Sequence, residues 1–477
     1  MPLLLISKGW SVINEPKTYV LDSSVLLNSP YAVNAFDEHT VLIPYSVVRE
    51  LQGYANTGTG EVRASAAEAL RILDSFAQKS ESLRSGVRLP GGGLLKVGAD
   101  IPGRTICEEA KEVQGTVVSR SPAIRVMANC SGISAEDYKA EAATGDIESI
   151  YNGRCRVYVT ADEMDRFAKQ QYLSRPAGEG WYATTENGVL LSEHYELTAN
   201  EFVVLVNSGN VNGGTLLGRW DSVRKAIVPM SFYDKKAPVY GAQAKNVGQQ
   251  FALEALMAPV SVAPLVILMG PAGTAKTFLS MAAGLAQTCD EHIYRRVLAT
   301  RSNTEMDKTL GYLKGDEEQK LAPLMRPIFD NVENLHATDK KKGKKDGVPY
   351  EDVGRELLAS GAVSLQSMGY MRGRSIKDTY IIVDEAQNMS LTQVLSMITR
   401  AGEGSKIVLL GDPDQIDNQF LDRRNNGLVF AAEKMRGSPL CWQLRFSESE
   451  CTRSALAREA ISRLTPKGAQ NLLHLNH

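Results

Sequence analysis

The stretch LVILMGPAGTAKTFLSMAAGL at 265–285 runs from an apolar segment through a glycine-containing turn into a helical pattern. Such a turn can aim backbone N–H groups at an anion, and the positive end of the following helix adds to the field. The chemistry on offer is therefore phosphate binding. Gly270, Pro271, Ala272, Gly273, Thr274 and Ala275 make the turn, and Phe278 lies in the first helical turn. Lys276 is placed to reach the outer phosphates of a triphosphate, and the Thr277 hydroxyl to ligate Mg2+. One position departs from the G-x-x-x-x-G-K-[ST] pattern: Ala275 stands where the last glycine belongs. With helical dihedrals its methyl group costs little, whereas a positive φ would strain it. The helical backbone is expected.

A second group of residues completes the chemistry. TYIIVDEAQNM at 379–389 reads as a hydrophobic strand that delivers Asp384 and Glu385 at its carboxyl end, where ligands of open α/β sheets sit. Asp384 suits the water shell of Mg2+, and Glu385 suits the base that polarises an attacking water. KIVLLGDPDQID at 406–417 is another strand, ending at Asp412 and Gln415, the latter placed to sense the γ-phosphate or position water. Upstream, NVGQQFALEAL at 246–256 offers Asn246 and Gln249 one helical turn apart as readers of an adenine edge. An arginine must still meet the charge that develops during phosphate cleavage. MRGRS (Arg372, Arg374), TRAGEGSK (Arg400) and TRSALARE (Arg453) supply candidates, one of which is expected to act across a subunit boundary.

These groups need scaffolds, and the chain is long enough for two or three domains at 477 residues. The net charge of −2 gives no global pull toward polyanions, so any such contact must be local. The short apolar run in MPLLLISKGW is not a signal-peptide core, and no apolar stretch is long enough to span a membrane. Six cysteines without a C-x-x-C pair and six histidines without H-E-x-x-H argue against disulfide or zinc frameworks. A cytoplasmic protein is expected.

Three regions follow from texture. In residues 1–142, TYVLDSSVLL, TVLIPYSVV, LLKV and TVV read as strands, and VRASAAEALRILDSFAQ and TICEEAKEV as helices, implying a parallel α/β domain. Residues 143–240 carry short β-like runs, EFVVLVNSG, TLLGRW and KAIVPMSF, and read as a small β-rich linker module. There Trp181, Tyr182, Arg219 and Trp220 could stack on bases, though packing of the module is the expected use. Residues 241–477 alternate strand and helix again, interrupted by the lysine-rich DKKKGKKDG at 339–347.

Taken in order, NVGQQFALEAL, GPAGTAKTFLSMAAGL, KLAPLMRPIFDN, MRGRSIKDTYIIVDEAQNMS, TRAGEGSKIVLLGDPDQIDN, NGL at 426–428 and RSALA at 453–457 resemble the PhoH family of P-loop ATPases. The closer resemblance is to fusions with an N-terminal PIN domain, and it covers nearly the whole chain. It implies a RecA- or helicase-like P-loop ATPase domain at the C-terminus that uses ATP and Mg2+. It also implies self-association into a ring, with a hexamer as the expected form, and ATP-dependent RNA unwinding by a motor on single-stranded nucleic acid, RNA before DNA, with RNA cleavage by the PIN half.

That half departs from its pattern. PIN nucleases hold Mg2+ or Mn2+ with three or four carboxylates, because a hard cation beside a phosphate needs concentrated negative charge. Asp22 and Glu50 supply two. The family's V-T-K-D-I-N-x-R reads VSRSPAIR, leaving Ser121 where an acid belongs, and D-N-R-I-L reads PGRTI, with Pro102 or Gly103 in place of the aspartate. Arg120 is basic, as expected, and does not compensate. Loss or weakening of metal-dependent ribonuclease activity is therefore expected. An active ATP-coupled ribonuclease would need Asp100 as a third ligand. A nucleotide-switched oligomeric scaffold is the reading from another class.

Overall fold

The computed structural model describes residues 17–138, 151–302, 356–366 and 375–452, apart from 37, 59, 79–81, 90–91, 177, 212, 419–420, 422 and 425. The chain divides into two compact units, Met1–Glu141 and Ala142–His477.

In the first unit, β1 (Thr18–Leu21), β2 (Thr40–Ile43), β3 (Val87–Arg88), β4 (Leu94–Val97), β5 (Thr116–Val118) and β6 (Ala135–Glu136) form one sheet in the order β3-β4-β2-β1-β5-β6. All pairs are parallel except β3 with β4. The helix Ser23–Asn28 starts directly after β1 with Asp22 as its cap, and Tyr45–Thr57 follows β2. The carboxyl ends of β1 and β5 therefore bring Asp22 beside Ser119, a 97-residue separation closed by one hydrogen bond.

The second unit holds two sheets. The first contains β7 (Arg154–Val159), β8 (Trp181–Thr184), β9 (Leu190–Tyr195), β10 (Phe202–Asn207), β11 (Leu216–Asp221) and β12 (Ala226–Pro229), ordered β12-β11-β10-β7-β8-β9. One face, with Cys155, Val157, Val203 and Leu205, packs on Trp181 and Phe167 as its own core. The other, through Phe202, Val204 and Val206, enters the core that also holds Phe251, Val266 and Trp442. Phe202 stacks on Phe251 at 4.7 Å between centroids. Period-two alternation along β10 thus builds two cores at once, and the β-rich stretch is welded to the elements that follow it.

The other sheet is wholly parallel: β13 (Leu265–Met269), β14 (Arg296–Arg301), β15 (Val363–Leu365), β16 (Thr379–Asp384), β17 (Lys406–Gly411) and β18 (Cys441–Arg445), ordered β15-β14-β16-β17-β13-β18. β13, β16 and β17 are buried at every position, as their unbroken apolar runs require in a sheet covered on both faces. β17 separates the turn-bearing strand β13 from the acid-bearing strand β16, so the ends of three adjacent strands converge. Lys406, at the head of β17, is fully buried, and its Nζ donates to the carbonyls of Ala255, Leu256 and Ala258 at 2.8, 2.9 and 2.7 Å. That closes the carboxyl end of the helix Val247–Met257. Among the described residues, no helix is long and apolar enough to cross a membrane.

Candidate functional site

The turn after β13 is shaped by three residues of positive φ: Gly270 at 137°, Gly273 at 89° and Ala275 at 71°. A Cβ on Gly270 would lie 2.8 Å from both Cβ and O of Phe446, so only glycine fits. Ala275 corrects the sequence expectation. Its dihedrals of φ 71° and ψ 22° are left-handed, not helical, and it sits just outside the helix Lys276–Leu285. For an L-residue this costs about 1–2 kcal/mol, held in place by the surrounding turn.

Within the turn, Lys276 Nζ donates to the carbonyls of Gly270 (2.6 Å) and Pro271 (3.0 Å) and to Thr274 Oγ1 (3.4 Å). The buried Thr274 braces the turn from inside by donating to Pro271 O at 2.9 Å. The Ala272 N–H donates to Asp412 Oδ2 at 3.2 Å, joining the turn to the end of β17. Burial raises the Asp412 carboxyl above its ordinary range, and the positive charge of Lys276 offsets part of this. Thr277 Oγ1 donates to Asp384 Oδ1 at 3.2 Å, so the two groups read from sequence as metal ligands meet across 107 residues. Asp384 is fully enclosed, and burial first, then Glu385 beside it, raises its carboxyl. A hydroxyl and a buried carboxylate short of positive charge, next to a turn of backbone amides, fit a hard divalent cation carried by a triphosphate.

Glu385 also has left-handed dihedrals, φ 54° and ψ 37°, so it turns away from the strand that delivers it. Two donors fix its carboxylate: Arg301 Nη2 to Oε1 at 2.9 Å and Gln387 Nε2 to Oε2 at 2.6 Å. Neither donor emerged from sequence as a site residue, although Arg301 ends a basic strand and Gln387 lies two positions beyond Glu385. Gln387 is the junction of the site. Its Nε2 also donates to Gln415 O at 2.8 Å, and its Oε1 accepts from Asp412 N at 3.1 Å. Gln415 itself is exposed at the rim.

Other expected residues fall elsewhere. Asn246 caps its helix by accepting from Gln249 N at 2.9 Å. Gln249 is buried; its Oε1 accepts from Lys245 N (2.8 Å) and its Nε2 donates to Thr274 O (3.3 Å). This pair thus braces the turn through backbone atoms, where an adenine-edge reader was expected. Arg400 donates from Nε to Ser396 Oγ at 3.1 Å, and its carbonyl accepts from Ile376 N, at the amino ends of β16 and β17. It therefore lies at the opposite edge of the sheet from the turn of its own chain. Arg372, Arg374, Arg453 and the lysine run at 339–347 lie outside the described residues. Of the four residues considered for stacking, Trp181 is buried under Arg175 at 4.2 Å, Arg219 lies over Trp442 at 4.4 Å, and Trp220 packs on the module core. Tyr182 is exposed and meets Tyr158 edge-on.

In the first unit, Asp22 Oδ2 accepts from Ser24 Oγ (2.5 Å) and Ser119 Oγ (2.8 Å), and Glu50 Oε2 accepts from Ser23 Oγ (2.6 Å). Ser121 stands just before the helix Pro122–Cys130 without a side-chain cap bond and donates its N–H to Ser119 Oγ at 3.0 Å. The suggestion that Asp100 joins Asp22 meets a different arrangement. Its two oxygens accept from Arg49 Nη2 at 2.7 and 2.9 Å in an exposed pair.

Comparison with known proteins agrees with both halves. Residues 19–139 match the PIN domain family, and residues 242–465 match the family described as PhoH-like protein. Protein PhoH2 of Bacillus subtilis (strain 168) is 34% identical over 475 residues, covering 94% of this chain and 100% of that protein. Protein PhoH2 of Mycolicibacterium smegmatis is 29% identical over 476 residues, covering 94% and 98%. Among solved structures, Pif1 helicase from Candida albicans aligns over 43% of this chain and 40% of that one, at 16% identity and a TM-score of 0.22. With matching domains in matching order along almost its whole length, the chain belongs to the PhoH2 family, a PIN domain followed by a PhoH-like P-loop domain.

Proposed function

We propose that this protein hydrolyses ATP to power a motor on single-stranded nucleic acid, RNA before DNA, as a helicase or translocase that forms a ring in the cytoplasm. In the same reading its PIN half has little or no nuclease activity, and its parts are 1–142, 143–240 and 241–477. The observation that carries the reading is the contact of Thr277 with Asp384, beside a Glu385 fixed by Arg301 and Gln387. Mg2+, when bound with the nucleotide, neutralises charge on the phosphate oxygens; Thr277 and Asp384 are the residues to hold it. Lys276 exchanges loop carbonyls for phosphate oxygens. Arg301 and Gln387 hold the Glu385 carboxylate oriented to take a proton from water. Gln415 is the sensor at the rim. Arg400 can serve only a neighbouring copy, and Arg374 and Arg453 are the other candidates for that role.

The test is ATP turnover with and without single-stranded RNA. RNA should stimulate the wild type, and Lys276→Ala and Glu385→Gln should each lose on the order of 100-fold or more. Turnover indifferent to RNA would favour a nucleotide-switched scaffold. For the PIN half, Mn2+ and single-stranded RNA form the assay, and cleavage abolished by Asp22→Asn would overturn its inactivity.

A further inference from the structure

The turn that would hold the nucleotide is fastened from a direction that the ATPase motifs do not describe. Arg154, the first residue of β7, has a fully buried guanidinium. It donates to Glu450 in a two-pronged pair, Nη1 to Oε1 at 2.9 Å and Nη2 to Oε2 at 2.5 Å, and it also pairs with Glu186. Glu450 spends most of its remaining capacity on backbone, with the Ser447 hydroxyl also donating to Oε2 at 3.3 Å. Oε1 accepts from Gly248 N at 2.8 Å and Oε2 from Ser447 N at 3.0 Å, while its carbonyl accepts from Asn246 Nδ2 at 3.2 Å. A Cβ on Gly248 would come 2.3 Å from Glu450 Oε1, so this glycine is required by the carboxylate.

Both routes out of Glu450 lead to the phosphate loop. Along the chain, Cys451 Sγ lies 3.4 Å from Ala272 O, and Thr452 donates to Gly273 O from N (2.9 Å) and Oγ1 (3.0 Å). Through the helix, Gly248 precedes Gln249, whose amide holds Thr274 O. Three successive loop carbonyls, at 272, 273 and 274, are therefore set by residues that Glu450 positions. Glu186 competes for the same guanidinium from the turn between β8 and β9, a hairpin whose Val189 and Leu190 are exposed.

We propose that Arg154 is a positioning residue for the nucleotide site, and that Glu186 and Glu450 share it so that the β8–β9 hairpin governs how firmly the phosphate loop is held. This rests on the nucleotide-binding reading above. A bidentate arginine–carboxylate pair out of water fixes direction as well as distance, which a lysine cannot reproduce. Removing the competing carboxylate leaves the whole charge to Glu450. Neither module residue touches the loop, so opposite effects on nucleotide affinity from these two changes are what coupling produces and general loss of stability does not.

The experiment measures the Kd of a fluorescent ADP analogue with Mg2+, the KM for ATP, kcat and the melting temperature, using the full-length chain. Arg154→Lys should raise Kd and KM roughly 5-fold or more, with kcat changed much less, and Glu186→Gln should lower both. Glu186→Gln changes a half-buried hairpin residue and keeps the test alive should Arg154→Lys fold poorly. Values within 2-fold of wild type in Glu186→Gln, or shifts of both variants in the same direction, would overturn the proposal. A wild type that itself binds no nucleotide brings down the functional reading first, which separates the two failures.

Discussion

Two aspartates sit in the same place on two sheets, at the carboxyl end of a central strand flanked by parallel neighbours, buried, each accepting from at least one hydroxyl. Asp22 has Ser24 and Ser119, and Asp384 has Thr277. What surrounds them differs. Asp384 is followed by a second acid that Arg301 and Gln387 hold ready, and faces a loop whose lysine lies 2.6 Å from the loop's own carbonyl. Around Asp22, Ser121 and Pro102 or Gly103 stand where the nuclease pattern wants acids, Ser24 and Ser119 supply hydroxyls, and Asp100 is tied to Arg49. Topology brings groups together at strand ends in both units; the number of charges placed there decides what they can bind.

The comparison can be broken most forcefully at Gln387. Gln387→Ala strips Glu385 of one donor and leaves the buried Asp412 N–H without its acceptor. We expect kcat for ATP to fall on the order of 100-fold, with about 1–3 kcal/mol of stability lost in urea denaturation. A variant that keeps its rate would show that the acid needs no orientation. The PIN side is sharpened by Ser121→Asp, which restores an acid at the position the family pattern requires. It should cost roughly 1 kcal/mol without metal, through repulsion from Asp22, and Mn2+ should raise its melting temperature where it leaves the wild type unmoved.

Sharing an arginine is the third arrangement of acids. Burial holds the Glu186 carboxyl up to about 6, against a usual 4.5, although Arg154 pulls it down. A carboxyl whose folded value is raised binds its proton more tightly in the native state. Its favourable contribution is complete below 4.5 and is lost as pH rises toward 6. The stability of Glu186→Gln relative to wild type should therefore climb across that window and then level off, by at most about 2 kcal/mol in chemical denaturation. A flat difference would mean that this acid titrates normally. The smallest effect is expected from Ala275→Gly. Relief of left-handed strain, about 1–2 kcal/mol, is partly offset by glycine's extra chain entropy of about 0.5–1, leaving a net gain of about 0.75 kcal/mol.

Much of this was legible in the chain. The apolar runs ending in VDE and LLGD gave β16 and β17, and GPAGTAKT gave the loop, because fully buried parallel strands and phosphate-binding turns leave local signatures. The apolar run in EFVVLVNSG marked β10, whereas its partner β7, RCRVYV, went unread although Arg154, Arg156 and Tyr158 alternate with Cys155, Val157 and Val159, because two arginines in six residues mask a strand that lies inside the unit. The backbone of Ala275 was misread, since helix propensity speaks for an interior position and this residue lies outside the helix. Arg301, Gln387, Arg154 and Glu450 owe much of their roles to contacts 84, 28 and 296 residues away in the chain, and no local pattern reports those.

The lysine at the head of β17 has a mechanical meaning. Its Nζ clamps the far end of an 11-residue helix whose near end is gripped by Glu450 and carries Gln249 onto the loop. A rod of about 16 Å pinned at both tips shifts as one piece and does not flex.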